Sequence, residues 1–420
     1  MGKHFGFIST RFSGTDGVTL EASKWAETLS RHGHHIYWFA GELDRDAEKS
    51  QLVPEAHFKH EENQSLNREI FGKKGRNLAI TEKIHAIKSY LKIQLRQFIE
   101  QFHIDLIVAE NCLTIPMHVP LGIALTETIA ETQIPTIAHH HDFFWERARF
   151  IVNAVGDYMH MAFPPKLPSI AHVVINSTAQ EELALRTGIS SIIIPNVLEF
   201  ETPPEINSER TKRLREAIGL ASEDTMILQP TRIIQRKGIE HSIEFVKKLA
   251  NPRCKLFISH EAGDEGFEYA EWIRENALSH GVDLQLINTR IDDPWNNRHR
   301  DGGRYSLWDV YPHADFITFP SLYEGFGNAF LEAVYFKKPL LINRYSTFIR
   351  DIEPLGFDLV VMDQYITPKT IQHAQTIIDL PEQREKMVAR NYEIARRHYS
   401  YTVLWKNLHY IITQFFGMDV

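Results

Sequence analysis

Residues 321–333 read Ser-Leu-Tyr-Glu-Gly-Phe-Gly-Asn-Ala-Phe-Leu-Glu-Ala and follow the apolar run Phe316–Phe319. The run has the length and composition of a buried β-strand, and a helical pattern comes after it. Two glycines at a strand-to-helix turn let the backbone approach a ligand closely, and the free N–H groups of a helix start attract anions. We therefore predict a phosphate site at Gly327, Asn328 and Ala329.

One carboxylate lies in an apolar part of this helix. Glu332 has Phe330, Leu331, Ala333 and Val334 around it in the sequence. A charge on so apolar a helix must be paired or bound to hydrogen-bond donors. Ribose hydroxyls would supply such donors, and a neighbouring Lys or Arg is the alternative.

A second loop, residues 229–239, places two cations after another apolar run. They are Arg232 and Lys237. An Arg fork and a Lys point charge suit a diphosphate leaving group, because they neutralise the charge that grows as a sugar–phosphate bond breaks. Loop cations are more often solvated, but both loops belong at the same edge of one sheet. This placement favours a shared diphosphate site.

Short runs rich in Ile, Val and Phe alternate with helical patterns along the chain, which is typical of βαβ units around parallel sheets. In the first half the runs are Phe5–Ser9, His35–Phe39, Leu106–Ala109, Thr136–His139, Val173–Ile175 and Ser191–Ile194. In the second half they are Met226–Gln229, Lys255–Ser259, Asp283–Ile287, Phe316–Phe319, Pro339–Ile342 and Leu359–Met362. The proline-containing passage 195–205 separates the two series and has no apolar period, so we interpret it as a linker.

We therefore predict an α/β fold of two doubly wound, Rossmann-like domains that face each other across a deep cleft, with ligands beyond the carboxyl ends of the strands. The amino-terminal domain is expected to span residues 1–197. The carboxyl-terminal domain is expected to span residues 198–401. Tyr401–Phe416 is predicted to be helical, and residues 402–420 are expected to return to the amino-terminal domain.

Composition excludes several classes of protein. The 420 residues include 46 Lys and Arg against 54 Asp and Glu, a net charge of −8, so no overall positive field draws the chain onto nucleic acid or anionic lipid. Two cysteines, Cys112 and Cys254, are too few for a disulfide framework. The start has a short apolar run, Phe5–Ile8, and the most apolar long stretch, Ile104–Ala130, contains Asp and Glu. We expect no targeting or membrane-spanning segment and a cytoplasmic protein.

These motifs resemble the family 4 glycosyltransferases, which are retaining enzymes with the two-domain GT-B fold. The family signature, two Glu in a serine-led EGFG context, stands here as Ser321, Glu324, Gly325, Phe326, Gly327 and Glu332. The family's Arg-x4-Lys-Gly loop stands as Arg232, Lys237 and Gly238. Gly14–Val18 resembles the family's glycine loop, and Trp25–Leu29 with Arg31–His34 resembles its first helix and the turn after it. Pro135 with His141 and Asp142 resembles its strand that ends in His-Asp, and Pro195–Val197 resembles the turn before its linker.

The resemblance implies transfer of a hexose of the glucose or mannose class from a UDP- or GDP-sugar. It implies that the amino-terminal domain, residues 1–197, binds the acceptor and the carboxyl-terminal domain, residues 198–401, binds the nucleotide sugar. It also implies that Glu324 binds sugar hydroxyls and that Glu332 binds the ribose. The implied catalytic residues are His141, Arg232, Lys237 and Glu324, and the implied donor-binding residues are Gly17, Arg232, Lys237, Glu324, Phe326, Gly327, Asn328 and Glu332. No metal or other cofactor is implied, because in the favoured family mechanism the acceptor attacks on the leaving-group face and a phosphate oxygen takes its proton.

The run from His139 to Arg147 begins with three consecutive histidines. Three interpretations remain open. His139 and His141 share one face of a strand and could bind a metal together with Glu146, or the histidines could pack against or cap the strand end. The resemblance implies instead that His141 bonds a sugar hydroxyl.

The predicted acceptor site is polar and locally cationic. Its residues are Arg11, Gly14, Asp16, His140, Arg147 and Arg149. This composition favours a small, hydroxylated and anionic acceptor, such as a sugar, a sugar phosphate or a glycerate-type glycoside. A lipid would call for an exposed apolar patch instead.

A basic helical stretch, residues 71–98, keeps other acceptors open. Its cations are Lys73, Lys74, Arg76, Lys83, Lys88, Lys92 and Arg96. We expect a solvated helix face, with binding of an anionic acceptor or contact with a membrane as alternatives.

Other functions remain open for the whole chain. They are transfer to a lipid or polysaccharide at a membrane, an epimerase, a sugar phosphorylase, or a non-catalytic nucleotide-sugar-binding protein. The sequence leaves the oligomeric state open.

Overall fold

The computed structural model of the protein describes residues 2–14, 16–204, 214–259, 267–287, 291–292 and 305–417. Thr15 of the predicted glycine loop and the last residue of the predicted linker lie outside these ranges. The chain divides into two compact units. The first comprises residues 1–196 with 404–420, and the second comprises residues 197–403.

The first unit contains a seven-stranded sheet in which neighbouring strands are parallel. Its strands are β1 (His4–Ile8), β2 (His35–Ala40), β3 (Ser50–Leu52), β4 (Leu106–Glu110), β5 (Thr136–His140), β6 (Ile170–Val174) and β7 (Ser191–Ile193). The order across the sheet is β3-β2-β1-β4-β5-β6-β7. The central strands β4 and β5 are buried throughout, which explains why neither alternates apolar and polar residues; the polar residues at their carboxyl ends, Glu110, His139 and His140, are buried as well. The carboxyl ends of β1, β4 and β5 therefore meet at one edge.

The helices of the first unit follow its strands. They are α1 (Gly17–Arg31), α2 (Glu61–Ile70), α3 (Leu78–Phe102), α4 (Val119–Thr132), α5 (Ala148–Ile151), α6 (Gly156–Ala162) and α7 (Ser177–Thr187). The helix at the end of the chain, numbered α15 below (Tyr401–Phe416), also packs on this unit: Trp405 stacks on His32 with ring centroids 3.7 Å apart. The predicted return of the carboxyl-terminal helix is confirmed.

The second unit contains a six-stranded parallel sheet. Its strands are β8 (Thr225–Gln229), β9 (Cys254–Ile258), β10 (Leu284–Leu286), β13 (Phe316–Phe319), β14 (Leu340–Asn343) and β15 (Val360–Met362), in the order β10-β9-β8-β13-β14-β15. β11 (Ile291–Asp292) and β12 (Tyr305–Ser306) pair separately. The helices are α8 (Leu214–Ala217), α9 (Ile239–Leu249), α10 (Phe267–His280), α11 (Leu307–Val310), α12 (Asn328–Tyr335), α13 (Pro368–Asp379) and α14 (Pro381–His398).

The prediction of two parallel sheets is confirmed. Every predicted run forms a strand whose ends lie within three residues of the predicted ends. The sequence did not predict β3, β11 or β12, because each contains a single apolar residue and gives no periodic signal.

Most cations of the basic stretch 71–98 are paired with carboxylates. The pairs are Arg76 with Asp157, Lys83 with Glu69, Lys88 and Lys92 with Glu127, and Lys92 and Arg96 with Glu131. The face where α3 meets α4 therefore carries both positive and negative side chains. Each exposed ion pair contributes roughly 0.2–1 kcal/mol to the free energy of unfolding. Within the described ranges, none of the helices combines the length and the apolar character needed to cross a membrane.

We expect the protein to lose stability as the pH falls from about 6.5 to 4, because two histidines are buried in the neutral form. Burial lowers the pKa of His118 and of His172 from 6.5 to about 4. The Nδ1 of His118 accepts from the N–H of Leu121 at 3.2 Å, so its Nε2 carries the hydrogen donated to the carbonyl of Glu55 at 2.8 Å. Because the folded-state pKa lies below the unfolded-state pKa, the stabilisation is complete above pH 6.5 and is lost toward pH 4, at most about 3 kcal/mol per ring.

Urea unfolding at a series of pH values measures this loss. Glu146 opposes this loss of stability. Burial raises the pKa of Glu146 to about 7, so protonation of Glu146 below that pH stabilises the folded state. The variant His118→Gln should show a shallower acid dependence than the wild type, whatever its stability at neutral pH. An unfolding free energy that stays flat between pH 7 and 4 in the wild type would contradict the buried neutral rings.

Candidate active site

Two loops of the second unit meet because the strands before them are neighbours. β8 and β13 pair in parallel, so the loops after their carboxyl ends lie side by side. The first loop ends in a 3-10 turn, Gln235–Lys237. Gly238, with φ of 61°, follows this turn and precedes the first residue of α9. A Cβ on Gly238 would lie 2.6 Å from the carbonyl oxygen of Pro320. The first loop thus lies against the end of β13, and a side chain at position 238 is excluded.

Two cations of the first loop hold Glu324 in the second. The Nζ of Lys237 donates to its Oε1, and Nη1 of Arg236 donates to its Oε2 at 3.0 Å. Burial alone would raise the pKa of Glu324, but the charges of Lys237 and Arg236 outweigh burial and lower it. Glu324 is therefore ionised, and two cations against one carboxylate leave a single positive charge. Arg232 is exposed nearby and adds to this positive potential.

The predicted phosphate turn is the start of a helix. α12 begins at Asn328, and Gly327 before it has φ of 113°, in the left-handed region that favours glycine. A Cβ on Gly327 would lie 2.8 Å from the hydroxyl oxygen of Tyr345. That hydroxyl donates to the carbonyl of Phe326 at 2.7 Å, which fixes the turn.

Glu332 of α12 receives a hydrogen bond from a buried hydroxyl. The hydroxyl of Tyr311 donates to its Oε2 at 2.6 Å, and the ring of Tyr311 stacks on Phe336 with centroids 4.9 Å apart. Tyr311 thus supplies one of the donors that the apolar surroundings of Glu332 require. Its role as a ribose ligand stays a prediction.

In the first unit, three ionisable side chains meet where β4 and β5 end. Glu110 is fully buried, and the Nδ1 of His139 and Nε2 of His141 lie 3.0 and 3.2 Å from its Oε2. The ring of His139 stacks on Trp25 with centroids 4.1 Å apart. Burial favours the neutral acid, but His139 and His141 outweigh burial and lower the pKa of Glu110 to about 2. The three ligand atoms lie within 4.8 Å of one another, near enough for an ion, but they already satisfy each other as a hydrogen-bonded cluster.

The predicted glycine loop holds the start of α1. Asp16 caps the helix by accepting from the N–H groups of Val18 and Thr19, and Arg11 donates to its other oxygen at 2.8 Å. The N–H of Gly14 donates to Asp44 at 3.0 Å. Gly17, the first residue of α1, is exposed. Arg11 is thus already next to one acid, which reduces the net charge it offers an acceptor.

The other predicted acceptor cations lie after β5. Arg147 forms an ion pair with Asp142, whose carboxylate also accepts from the side-chain amide of Asn111 at 3.0 Å. The guanidinium of Arg149 lies 4.6 Å from the ring centroid of Phe150. Arg11 follows β1 and Arg147 follows β5 in the chain. Because β1, β4 and β5 are consecutive strands of the parallel sheet, both arginines lie at the same edge.

Two curated relatives match most of the chain. The mannosylglucosylglycerate synthase of Thermotoga maritima is 32% identical over an alignment of 426 residues, covering 92% of this chain and 94% of the relative. The mannosylglucosylglycerate synthase of Petrotoga mobilis is 32% identical over 379 residues, covering 84% of this chain and 85% of the relative. The chain belongs to the family 4 glycosyltransferases.

The fold agrees with this family. A glycosyltransferase from Rickettsia africae superposes with a TM-score of 0.70 at 13% identity, over 98% of each chain. The two parallel sheets are therefore those of the GT-B fold, as predicted. No protein-family model matches the sequence.

Two sequence-based interpretations of this glycosyltransferase need correction. His140 was predicted to contact the acceptor, but it is buried and its ring nitrogens are bonded to Thr114 and, at 2.9 Å, to His172. Alternation along β5 turns His140 to the opposite face from His139 and His141. The proposed metal ligand Glu146 does not join the histidines either, because it accepts from the N–H of Phe143 at 2.8 Å.

Two residues of the glycosyltransferase, Arg236 and Glu110, belong to these clusters in the structure but were not predicted from the sequence. Arg236 precedes Lys237, and nothing in the spacing showed that both would contact Glu324. Glu110 is the last residue of a strand that was predicted to end at Ala109. A polar residue directly after a buried parallel strand is the signal that could have revealed Glu110.

Proposed function

We propose that this glycosyltransferase transfers a mannosyl unit from a nucleoside diphosphate sugar to a glucosylglycerate in the cytoplasm, with retention of anomeric configuration. The names of both relatives support the sugar and the acceptor. The observation that carries the proposal is the cluster of Lys237, Arg236 and Glu324, whose net positive charge suits a diphosphate and whose carboxylate suits sugar hydroxyls. We assign acceptor binding to residues 1–197 with 402–420, and donor binding to residues 198–401.

The cations would act on the leaving group. As the bond between the anomeric carbon and the phosphate oxygen breaks, negative charge grows on the diphosphate, and Lys237, Arg236 and Arg232 would neutralise it. The acceptor hydroxyl forms the new bond on the same face of the sugar and gives its proton to the departing phosphate oxygen. This route needs no pair of carboxylates of the kind that glycosidases use.

We also propose that the transfer needs no divalent ion at the diphosphate. Three side-chain cations and the start of α12 already belong to this edge of the sheet. Activity should be unchanged by EDTA and by added Mg²⁺. Loss of activity on chelation, with recovery on adding Mg²⁺, would overturn this part of the proposal.

Assays with each combination of several donors and acceptors test which sugar is transferred and to which acceptor. GDP- and UDP-linked mannose and glucose would each be offered with glucosylglycerate and with glucosylglycerol, a matched acceptor that lacks the carboxylate. We expect transfer from a mannosyl donor to glucosylglycerate, and NMR of the product should show the anomeric configuration of the donor. Equal kcat/KM for the two acceptors would reject a site built for an anionic acceptor.

Arg147→Ala should raise the KM for glucosylglycerate about fivefold, the loss expected when one net hydrogen bond of about 1 kcal/mol is removed. The KM for the donor should stay nearly unchanged, because the donor is assigned to the other unit. Steady-state kinetics with each substrate varied in turn measures both constants.

Arg31→Ala is the matched control for that variant. Arg31 is an exposed arginine of the same unit and pairs with Glu27 across one helical turn. It should leave both constants unchanged. An equal rise in the donor KM for Arg147→Ala would remove Arg147 from the acceptor site.

A further inference from the structure

The buried cluster at the ends of β4 and β5 contains enough contacts to assign its hydrogens. An ionised carboxylate only accepts hydrogen bonds. The Nδ1 of His139 and Nε2 of His141 both face Glu110, so each of these nitrogens carries a hydrogen. A ring that carries a second hydrogen, on its other nitrogen, is positively charged.

His139 is the neutral ring. Its other nitrogen, Nε2, is buried and has no hydrogen-bond partner among the described residues. A hydrogen there would be an unpaired donor on a buried charged ring, which is costly. The pKa of His139 agrees with this assignment, because burial lowers it.

The charge count then points to His141. Glu21 of α1 is paired with Lys24, so these two charges cancel. The charge of the fully buried Glu110 has to be balanced, and with His139 neutral the remaining partner in the cluster is His141. Burial acts against a charge on His141, but Glu110 outweighs burial and raises the pKa of that ring; Glu21 and Asp142 act in the same direction.

We propose that Glu110 is a positioning residue that holds His141 as an imidazolium and fixes its ring, so that the Nδ1–H of His141 is offered to an oxygen of the bound substrate. The side chain of His141 is 10% exposed, whereas Glu110 and His139 are at most 1% exposed, so His141 is the member of the cluster that a ligand can reach. A charged donor makes a shorter and stronger hydrogen bond than a neutral one. Only the identity of the substrate oxygen rests on the proposed function; the protonation state does not.

NMR of the full chain with ¹³Cε1-labelled histidine tests the protonation state without any substrate. The signal of His141 is identified by its loss in His141→Asn. In the wild type it should titrate above 6.5, the ordinary pKa of histidine. In Glu110→Gln the His141 signal should titrate at a lower pH than in the wild type. In the control variant Glu146→Gln the pH at which it titrates should be unchanged. A wild-type His141 that titrates at or below 6.5 overturns the proposal, even if Glu110→Gln fails to fold.

The pH dependence of transfer tests the positioning role. The kcat/KM of the wild type should fall on the alkaline side as His141 loses its proton. In Glu110→Gln that fall should begin at lower pH, so that the variant is about tenfold or more slower at pH 8 and closest to the wild type at acidic pH. A merely structural role would lower the rate equally at every pH and would overturn the proposal. If no mannosyl donor reacts at all, the proposed function fails, and the NMR titration alone decides this inference.

Discussion

Lys237→Ala is expected to lower kcat about a hundredfold or more, because the variant loses a charge aimed at the leaving diphosphate. The side chain of Lys237 is 12% exposed and its ammonium group bonds Glu324, so water replaces it poorly. A hundredfold loss corresponds to about 2.7 kcal/mol of transition-state stabilisation. Steady-state kinetics at saturating donor and acceptor measures kcat directly.

Lys247→Ala is the matched control for this substitution. Lys247 is an exposed lysine in the last turn of α9, the helix that begins just after Lys237. Its removal changes the net charge of the chain by the same amount and should leave kcat unchanged. Turnover of Lys237→Ala near that of the wild type would remove Lys237 from the diphosphate site.

The sequence predicted the sheets because buried parallel strands leave a strong local signal. Phe316–Phe319 was predicted with both ends correct, since three of its four residues are apolar and a glycine-containing turn follows. The loop containing Lys237 was placed beside the loop containing Glu324 for the same reason, because both follow strands of one sheet. The structure adds that β8 and β13 are direct neighbours.

The partners within each cluster were harder to predict, because they depend on backbone turns and on residues distant in the sequence. Glu110 and His139 are separated by 29 positions and meet only because β4 pairs with β5. Arg236 reaches Glu324 because the 3-10 turn before Gly238 sets the direction of its side chain. Neither contact leaves a pattern that could be read along the chain.

His140 shows a different kind of error. The alternation of side chains along a strand already separates His140 from His139 and His141. The sequence alone could not show what lay on the opposite face. The structure places Thr114 and His172 there, and both bond the ring of His140.

Glu324→Gln is expected to lower kcat about a hundredfold or more while changing the Kd of the free nucleoside diphosphate less than about fivefold. Glutamine has nearly the shape of glutamate but no charge, so the contacts to sugar hydroxyls weaken. Lys237 and Arg236 lose their carboxylate partner and remain free to face the diphosphate. Isothermal titration with the nucleoside diphosphate and steady-state kinetics with the whole donor separate the two effects.

Glu244→Gln serves as the control, because Glu244 is a half-exposed carboxylate of α9 that pairs with Lys248. It should change neither constant. The double variant Lys237→Ala with Glu324→Gln should lose less activity than the product of the two single losses, because the two side chains contact each other and act as one unit. An equal loss of nucleotide binding and of turnover in Glu324→Gln would mean that Glu324 only holds the two cations in place, and the donor sugar would then have to be bound by other residues.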